Sequence, residues 1–165
     1  MIIKITNYQV GVHKIEFEKS VSELQLGEPF IDKLNLICMM DKSLHQIILN
    51  CNLTIPAQFI CDRCNSDYVT NLNSDFSLVY IFDKKENVES TNVYFISSKE
   101  DKIDITNDVI DYANLTIPLK KLCTEDCKGL CYSCGVNLNL EKCNCKKEEM
   151  GPTFEPLLKL KNKLN

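Results

Sequence analysis

The segment from Cys123 to Cys145, CTEDCKGLCYSCGVNLNLEKCNC, constrains this chain more than any other. Six of the ten cysteines fall within these 23 residues, spaced C-x3-C-x3-C-x2-C-x8-C-x-C. Thiolates two or three residues apart on tight turns point at a single ion, and Gly129 and Gly135 sit where such turns need backbone freedom. A further pair, Cys61 and Cys64 in Cys-Asp-Arg-Cys, repeats the two-residue gap far upstream. Cys61, Cys64, Cys123, Cys127, Cys131, Cys134, Cys143 and Cys145 thus make two sets of four, and four thiolates around one ion form a closed zinc site. The expectation is two zinc ions (Zn2+) per chain. An iron–sulfur cluster is the alternative that thiolate ligands also suit.

A disulfide framework competes with metal, because ten is an even number. The first residues, MIIKITNYQV, lack the charged stretch and apolar run of a signal peptide. The chain is therefore expected in the cytoplasm, where closely spaced cysteines bind metal more often than they pair. Cys38 and Cys51 stand singly among strand residues and are read as small buried core residues with free thiols. No apolar run approaches the ~18 residues of a membrane span, so no membrane partner is expected.

The formal charge is −4 over 165 residues, unevenly spread. From Pro118 onward nine lysines face six acids, a net +3; before it ten basic residues face seventeen acids, a net −7. Two four-thiolate zinc sites would take the loaded chain to about −8. That balance leaves nucleic acid at most a small lysine patch, and a solvated lysine face explains the same residues.

Along the chain, 2–6 and 12–18 read as strands, the second alternating Ile15 and Phe17 with Glu16 and Glu18. Gly27 and Pro29 break residues 20–32 into loop. Leu34, Leu36, Cys38 and Met40 alternate again, and a β-rich run extends from 44 to 60 and resumes from 67 to 82. Cys61 and Cys64 therefore sit at the tip of a long antiparallel hairpin. Residues 83–92 read as a polar loop, and 93–96 and 103–105 as short strands. Ile105, Val109, Tyr112 and Ala113 then fall on one helical face, with Thr106 as N-cap and Asp108 in the first turn. Pro118 sets the limit of that helix. Leu157, Leu160 and Leu164 after Pro156 predict a short C-terminal helix. The fold class is α+β: an antiparallel β-meander or barrel-like sheet, one short helix, a cysteine-rich segment and a terminal helix. Residues 1–117 form the β-rich domain and 118–165 the zinc-binding segment, docked through a shared zinc site.

The run LCTEDCKGLCYSCGVNLN followed by Cys143-Asn144-Cys145 resembles the C-terminal signature of the YceD family. The Cys61-Asp-Arg-Cys64 pair, the short helix near 104–115 and Ile117-Pro118-Leu119 agree with it in order. The chain departs from the family pattern at Tyr132, often Pro, at Asn65, commonly Leu, and at Gly151-Pro152-Thr153, often Asp-Pro-Arg. The resemblance implies a small cytoplasmic protein of ribosome biogenesis, required for accumulation of large-subunit ribosomal RNA and linked genetically to a zinc-containing large-subunit ribosomal protein. Ribosomal RNA or a ribosomal protein is the implied partner, and no small-molecule substrate is evident.

No enzyme is expected. A catalytic zinc keeps an open position and mixes His or carboxylate among its ligands. His13 and His45 lie far from either cysteine set, and no Ser-His-Asp set, phosphate loop or carboxylate pair is visible. A zinc-stapled protein-interaction module unrelated to ribosomes is the main alternative, and a zinc or thiol enzyme the lesser one. Two divisions of the ligands remain open. One groups Cys61, Cys64, Cys123 and Cys127 against Cys131, Cys134, Cys143 and Cys145, and bridges 58 residues between Cys64 and Cys123. The other groups Cys123, Cys127, Cys131 and Cys134, leaving Cys61 and Cys64 to Cys143 and Cys145. The resemblance favours the first, since some family members lack the second set.

Overall fold

The computed structural model describes residues 1–82 and 92–145. The terminal helix predicted after Pro156 lies outside the described residues. Strands β1 (Ile2–Lys4), β2 (Gly11–Ser20), β3 (Lys33–Lys42), β4 (Gln46–Ile60), β5 (Asp67–Phe82), β6 (Val93–Ile96) and β7 (Lys102–Asp104) precede one helix, α1 (Thr106–Leu115). Period-2 alternation decides which face each long strand buries. On β3 it buries Leu34, Leu36, Cys38 and Met40; on β4 it buries Ile47, Leu49, Leu53 and Ile55; on β5, Phe76, Leu78 and Tyr80. Side chains of this size, fully buried, contribute roughly 1.5–3 kcal/mol each.

The sheet runs β2-β3-β4-β5-β6. Its first four strands form an antiparallel meander, as expected, but β6 joins β5 in parallel from Val79 to Phe82. The sheet is open, with β2 and β6 at its margins, so the barrel-like expectation gives way to an open sheet buried on one face. The cover is built from distant pieces. β1 pairs with β7, setting Ile3 against Ile103, and α1 packs Val109 and Ala113 into the same core. Tyr112 stacks on Phe76 at a ring separation of 4.1 Å. Residues 5–6, expected in the first strand, instead turn into a 3-10 helix at Ile5–Asn7.

Two local expectations are corrected. Thr106 is the first helical residue rather than the cap; Ile105 holds the cap position without a side-chain cap bond, and Asp104 just before it accepts the Thr106 N–H at 3.0 Å. Cys38 and Cys51 are buried in the core as read, but they are not free thiols: they face each other directly across β3 and β4 and are joined by a disulfide. Their separation of 13 residues hid that register in the sequence.

Candidate metal centres

The β4–β5 hairpin ends in the turn Cys61-Asp62-Arg63-Cys64-Asn65-Ser66. Cys61 N–H donates to the Ser66 carbonyl at 2.9 Å, and Asn65 N–H donates to the Cys61 carbonyl at 2.9 Å. The same turn recurs at Cys131-Tyr132-Ser133-Cys134-Gly135-Val136. Cys131 N–H donates to Val136, and Gly135 N–H to Cys131, both at 2.8 Å. Each turn needs one left-handed residue after its second cysteine. Asn65 supplies it at φ 54° and Gly135 at φ 74°, and asparagine and glycine are the residues that adopt that region most readily. The departure from the family pattern at Asn65 is therefore compatible with the turn.

The eight sulfurs fall into two groups. Cys61, Cys64, Cys123 and Cys127 lie within 4.8 Å of one another, and so do Cys131, Cys134, Cys143 and Cys145. Cys131 and Cys134 thus join the downstream pair, not Cys123 and Cys127. In the first group the closest contacts are Cys64–Cys123 at 3.7 Å and Cys61–Cys127 at 3.8 Å. In the second they are Cys131–Cys143 at 3.3 Å and Cys134–Cys143 at 3.6 Å. Each group can hold a metal ion.

The first group ties the hairpin tip to the segment after α1. Asp62 N–H donates to the Lys121 carbonyl at 2.8 Å, and Lys121 N–H returns a bond to the Asp62 carboxylate at 2.7 Å. Arg63, the only arginine of the chain, donates through Nη1 to the Cys127 carbonyl at 2.8 Å and the Glu125 carbonyl at 3.3 Å. Leu130 N–H donates to the Arg63 carbonyl at 3.1 Å. Gly129, at φ 76°, approaches so closely that a Cβ there would lie 3.0 Å from the Arg63 carbonyl oxygen. Asn137 extends the same seam, donating through Nδ2 to Ser66 Oγ at 3.2 Å.

Donors aimed at sulfur favour thiolate. Burial pushes the Cys61 thiol up, but backbone N–H groups of Cys123, Cys64 and Arg63 outweigh it and bring the pKa down to about 6. The Ser66 hydroxyl and backbone N–H hold Cys64 down. Cys131 is lowered to about 6 by the backbone N–H groups of Cys134 and Ser133. Crowding pushes other sulfurs the opposite way. Cys123 is raised to about 12 by burial and then by Cys64 and Cys127, and Cys145 to about 12 by Cys143 and Cys134. Four mutually opposed thiols with N–H donors pointed at them suit a doubly charged soft cation, which lets all four ionise together. Neither group includes a histidine or carboxylate.

The sequence did not reveal Asn139. Its Nδ2 donates to Cys127 Sγ at 3.2 Å, and its Oδ1 accepts the Lys128 N–H at 2.8 Å. Asn139 thereby carries a contact from the loop of the second group to a sulfur of the first. Asparagine is abundant in this chain, so composition offered no signal for it. A cleft of about 960 Å³ opens beside the first group and is lined by Phe59, Asp62, Arg63, Asp67 and Lys121 among others. Lys121 Nζ sits 5.6 Å from the Phe59 ring centre. Neither histidine lines the cleft; His13 Nε2 instead lies 2.9 Å from the Gln9 carbonyl.

Residues 49–161 match the family described as "Large ribosomal RNA subunit accumulation protein YceD". The chain is 28% identical over 131 residues to "Large ribosomal RNA subunit accumulation protein YCED homolog 1, chloroplastic" of Arabidopsis thaliana, covering 63% of this chain and 41% of that protein. It is 34% identical over 71 residues to the Zea mays protein of the same name, covering 42% and 24%. An uncharacterized protein of Mycobacterium leprae is 25% identical over 112 residues, covering 66% and 50%. The chain spans half or less of the length of these relatives. No solved structure matches it. Among the described residues, no helix is long and apolar enough to cross a membrane.

Proposed function

The chain belongs to the YceD family, and from that premise we propose that it is a non-enzymatic zinc-binding factor of ribosome biogenesis that supports accumulation of large-subunit ribosomal RNA. One observation carries the reading: the family match runs from 49 to 161 and takes in all eight cysteines of the two groups. The partner in this reading is large-subunit ribosomal RNA or a ribosomal protein, met in the cytoplasm.

Zinc suits the donor set. Both groups are all sulfur, the composition of closed structural sites, whereas catalytic zinc keeps a position for water. When bound, the ion supplies charge neutralisation and a cross-link rather than chemistry on a substrate. Cys61, Cys64, Cys123 and Cys127 would join residues 1–117 to residues 118–165 as two parts docked through one ion. Cys131, Cys134, Cys143 and Cys145 would close a single loop.

Two measurements test the proposal. Deleting the gene should lower the ratio of large to small ribosomal subunits on a sucrose gradient; an unchanged profile in both cold and normal growth rejects the ribosomal role. Native mass spectrometry should find two zinc ions per chain; a stable value of one, or iron and sulfide in place of zinc, rejects the metal assignment.

A further inference from the structure

The sheet has two long margins, and they are treated differently. β2 is bordered by charge of both signs: Lys14 pairs with Glu16, Glu18 with Lys33 across the strand, and Lys19 with Glu23 at 2.8 Å. Charged side chains along an edge strand discourage pairing with another chain. β5 runs from Asp67 to Phe82, but β6 covers it only from Val79 onward. Among the described residues, no strand pairs with the other margin of β5 between Asp67 and Leu78.

The hydrogen-bond polarity of that margin follows from its two ends. Val79 N–H donates towards β6, to the Asn92 carbonyl at 2.8 Å, whereas Phe82 N–H donates to the opposite side, to His45 at 3.0 Å. The β4–β5 register is unbroken from Ile60↔Asp67 to Gln46↔Ile81. Odd-numbered residues therefore turn both N–H and C=O away from β4. Asp67, Val69, Asn71, Asn73, Asp75 and Ser77 present a ladder of open donors and acceptors. Their side chains share the exposed face of the sheet, while Tyr68 and Leu72 lie half-buried on the other.

Arg63 and Lys121 stand near the Asp67 end, but Arg63 is engaged with the Cys127 and Glu125 carbonyls and Lys121 with the Phe59 ring. The strands and helix along the margin itself carry charge of one sign. β4, β5, β6 and α1 together hold four aspartates, Asp67, Asp75, Asp108 and Asp111, and no lysine or arginine. Asp67, Asp75 and Asp111 are exposed. We propose that the margin of β5 from Asp67 to Ser77 is a docking edge for an extended basic protein segment, which adds to the sheet as a further strand. Main-chain bonds to the odd-numbered residues supply affinity. Strand alternation then places one set of partner side chains beside Asp67 and Asp75, and the other set against Tyr68 and Leu72. The edge selects a segment in which lysine or arginine alternates with apolar residues. This inference rests on the sheet and its charges, and would stand even if subunit profiles were unaffected by loss of the protein.

The test uses the full zinc-loaded chain and a capped ten-residue peptide of alternating lysine and valine. Hydrogen exchange should show the amides of Val69, Asn71, Asn73 and Asp75 exchanging fast in the free protein and slowing at least tenfold on peptide addition. The same peptide N-methylated at alternate backbone positions, or carrying glutamate for lysine, should bind at least tenfold more weakly. Asn73→Pro removes one outward N–H and leaves the backbone bonds to β4 in place, losing only the side-chain bond that Thr54 Oγ1 donates to Asn73 Oδ1, and should weaken binding at least tenfold. Should that variant misfold, the Asp67→Asn, Asp75→Asn double variant keeps the backbone and should lower both affinity and its salt dependence. Odd-numbered amides already protected in the free chain overturn the proposal. So does equal binding of the N-methylated peptide, or a uridine-rich RNA 12-mer that protects the same amides while the peptide does not.

Discussion

The two cysteine groups share a turn and differ in everything around it. In the first, Cys61, Cys64 and Cys127 are 2–4% exposed and form a small apolar cluster with Tyr68 and Leu122. Its sulfurs come from sites 66 residues apart, as in Cys61 and Cys127. In the second, Cys134 and Cys145 are exposed and all four sulfurs come from one stretch of the chain. A cross-link between distant segments restricts the unfolded chain more than one closing a short loop, by about 0.6 kcal/mol per doubling of length, and burial strengthens each polar contact around it. On the proposed zinc reading, the same four-sulfur chemistry serves as a tertiary joint in one place and a local clasp in the other.

The comparison breaks most sharply if the joint is cut. Structural zinc contributes on the order of 10 kcal/mol to folding, as much as a domain's whole margin. Cys61→Ser with Cys64→Ser should drop the zinc content from two to one and undock residues 118–145 from the sheet. Limited proteolysis between α1 and Cys123 should become fast. A doubly substituted chain that keeps two zinc ions would refute the division of ligands.

Cutting the clasp should cost less. Cys143→Ser with Cys145→Ser should also release one ion, yet hydrogen exchange should stay slow around Cys61–Ser66 while it quickens from Gly129 onward. Loss of protection at the hairpin tip with retention at Cys123–Cys134 would mean the sulfurs are shared out the other way.

Two glycines sharpen the contrast at constant backbone angle. Gly129 and Gly135 have φ near 75°, where any L-residue with a Cβ costs roughly 1–2 kcal/mol. Gly135→Ala meets nothing else within 4 Å, but Gly129→Ala also drives a methyl against the Arg63 carbonyl. Denaturant melts should place Gly129→Ala well below Gly135→Ala, and equal losses would deny the close approach of Gly129 to Arg63. Chelation tests the same asymmetry: with a chromogenic chelator of moderate affinity, the absorbance of its zinc complex should rise in two phases, the faster belonging to the more exposed second group.

The smallest effect belongs to Asn139. Asn139→Ala removes the donor to Cys127 and should cost about 1 kcal/mol, with both metals retained. It should speed metal release from the first group and leave the second unchanged, because the lost bond ends on Cys127.

Much of this was legible from residue order. The strands from Lys33 to Phe82 follow from alternation, since a pleated strand with one buried face must repeat every second residue. The knuckles follow from cysteines two residues apart, because the turn that brings their sulfurs together is local. The helix follows from its apolar face, but Thr106 is its first residue rather than its cap, because that boundary turns on a single backbone dihedral at Ile105. The parallel placement of β6 and the pairing of β1 with β7 left no periodic trace.

By itself, then, the sequence determined every element whose cause lies within a few residues: the alternating strands, the two cysteine turns and the eight clustered sulfurs. Only the tertiary structure decided what meets across long stretches of chain. It set Cys38 opposite Cys51, left the sheet open rather than closed, and brought Asn139 to Cys127. It also placed Gly129 against Arg63, buried three sulfurs of one group and left two of the other exposed. The reason is physical. Local geometry is fixed by backbone sterics that each residue carries with it, whereas register, closure and burial depend on the summed packing of segments that adjoin only once the chain has folded.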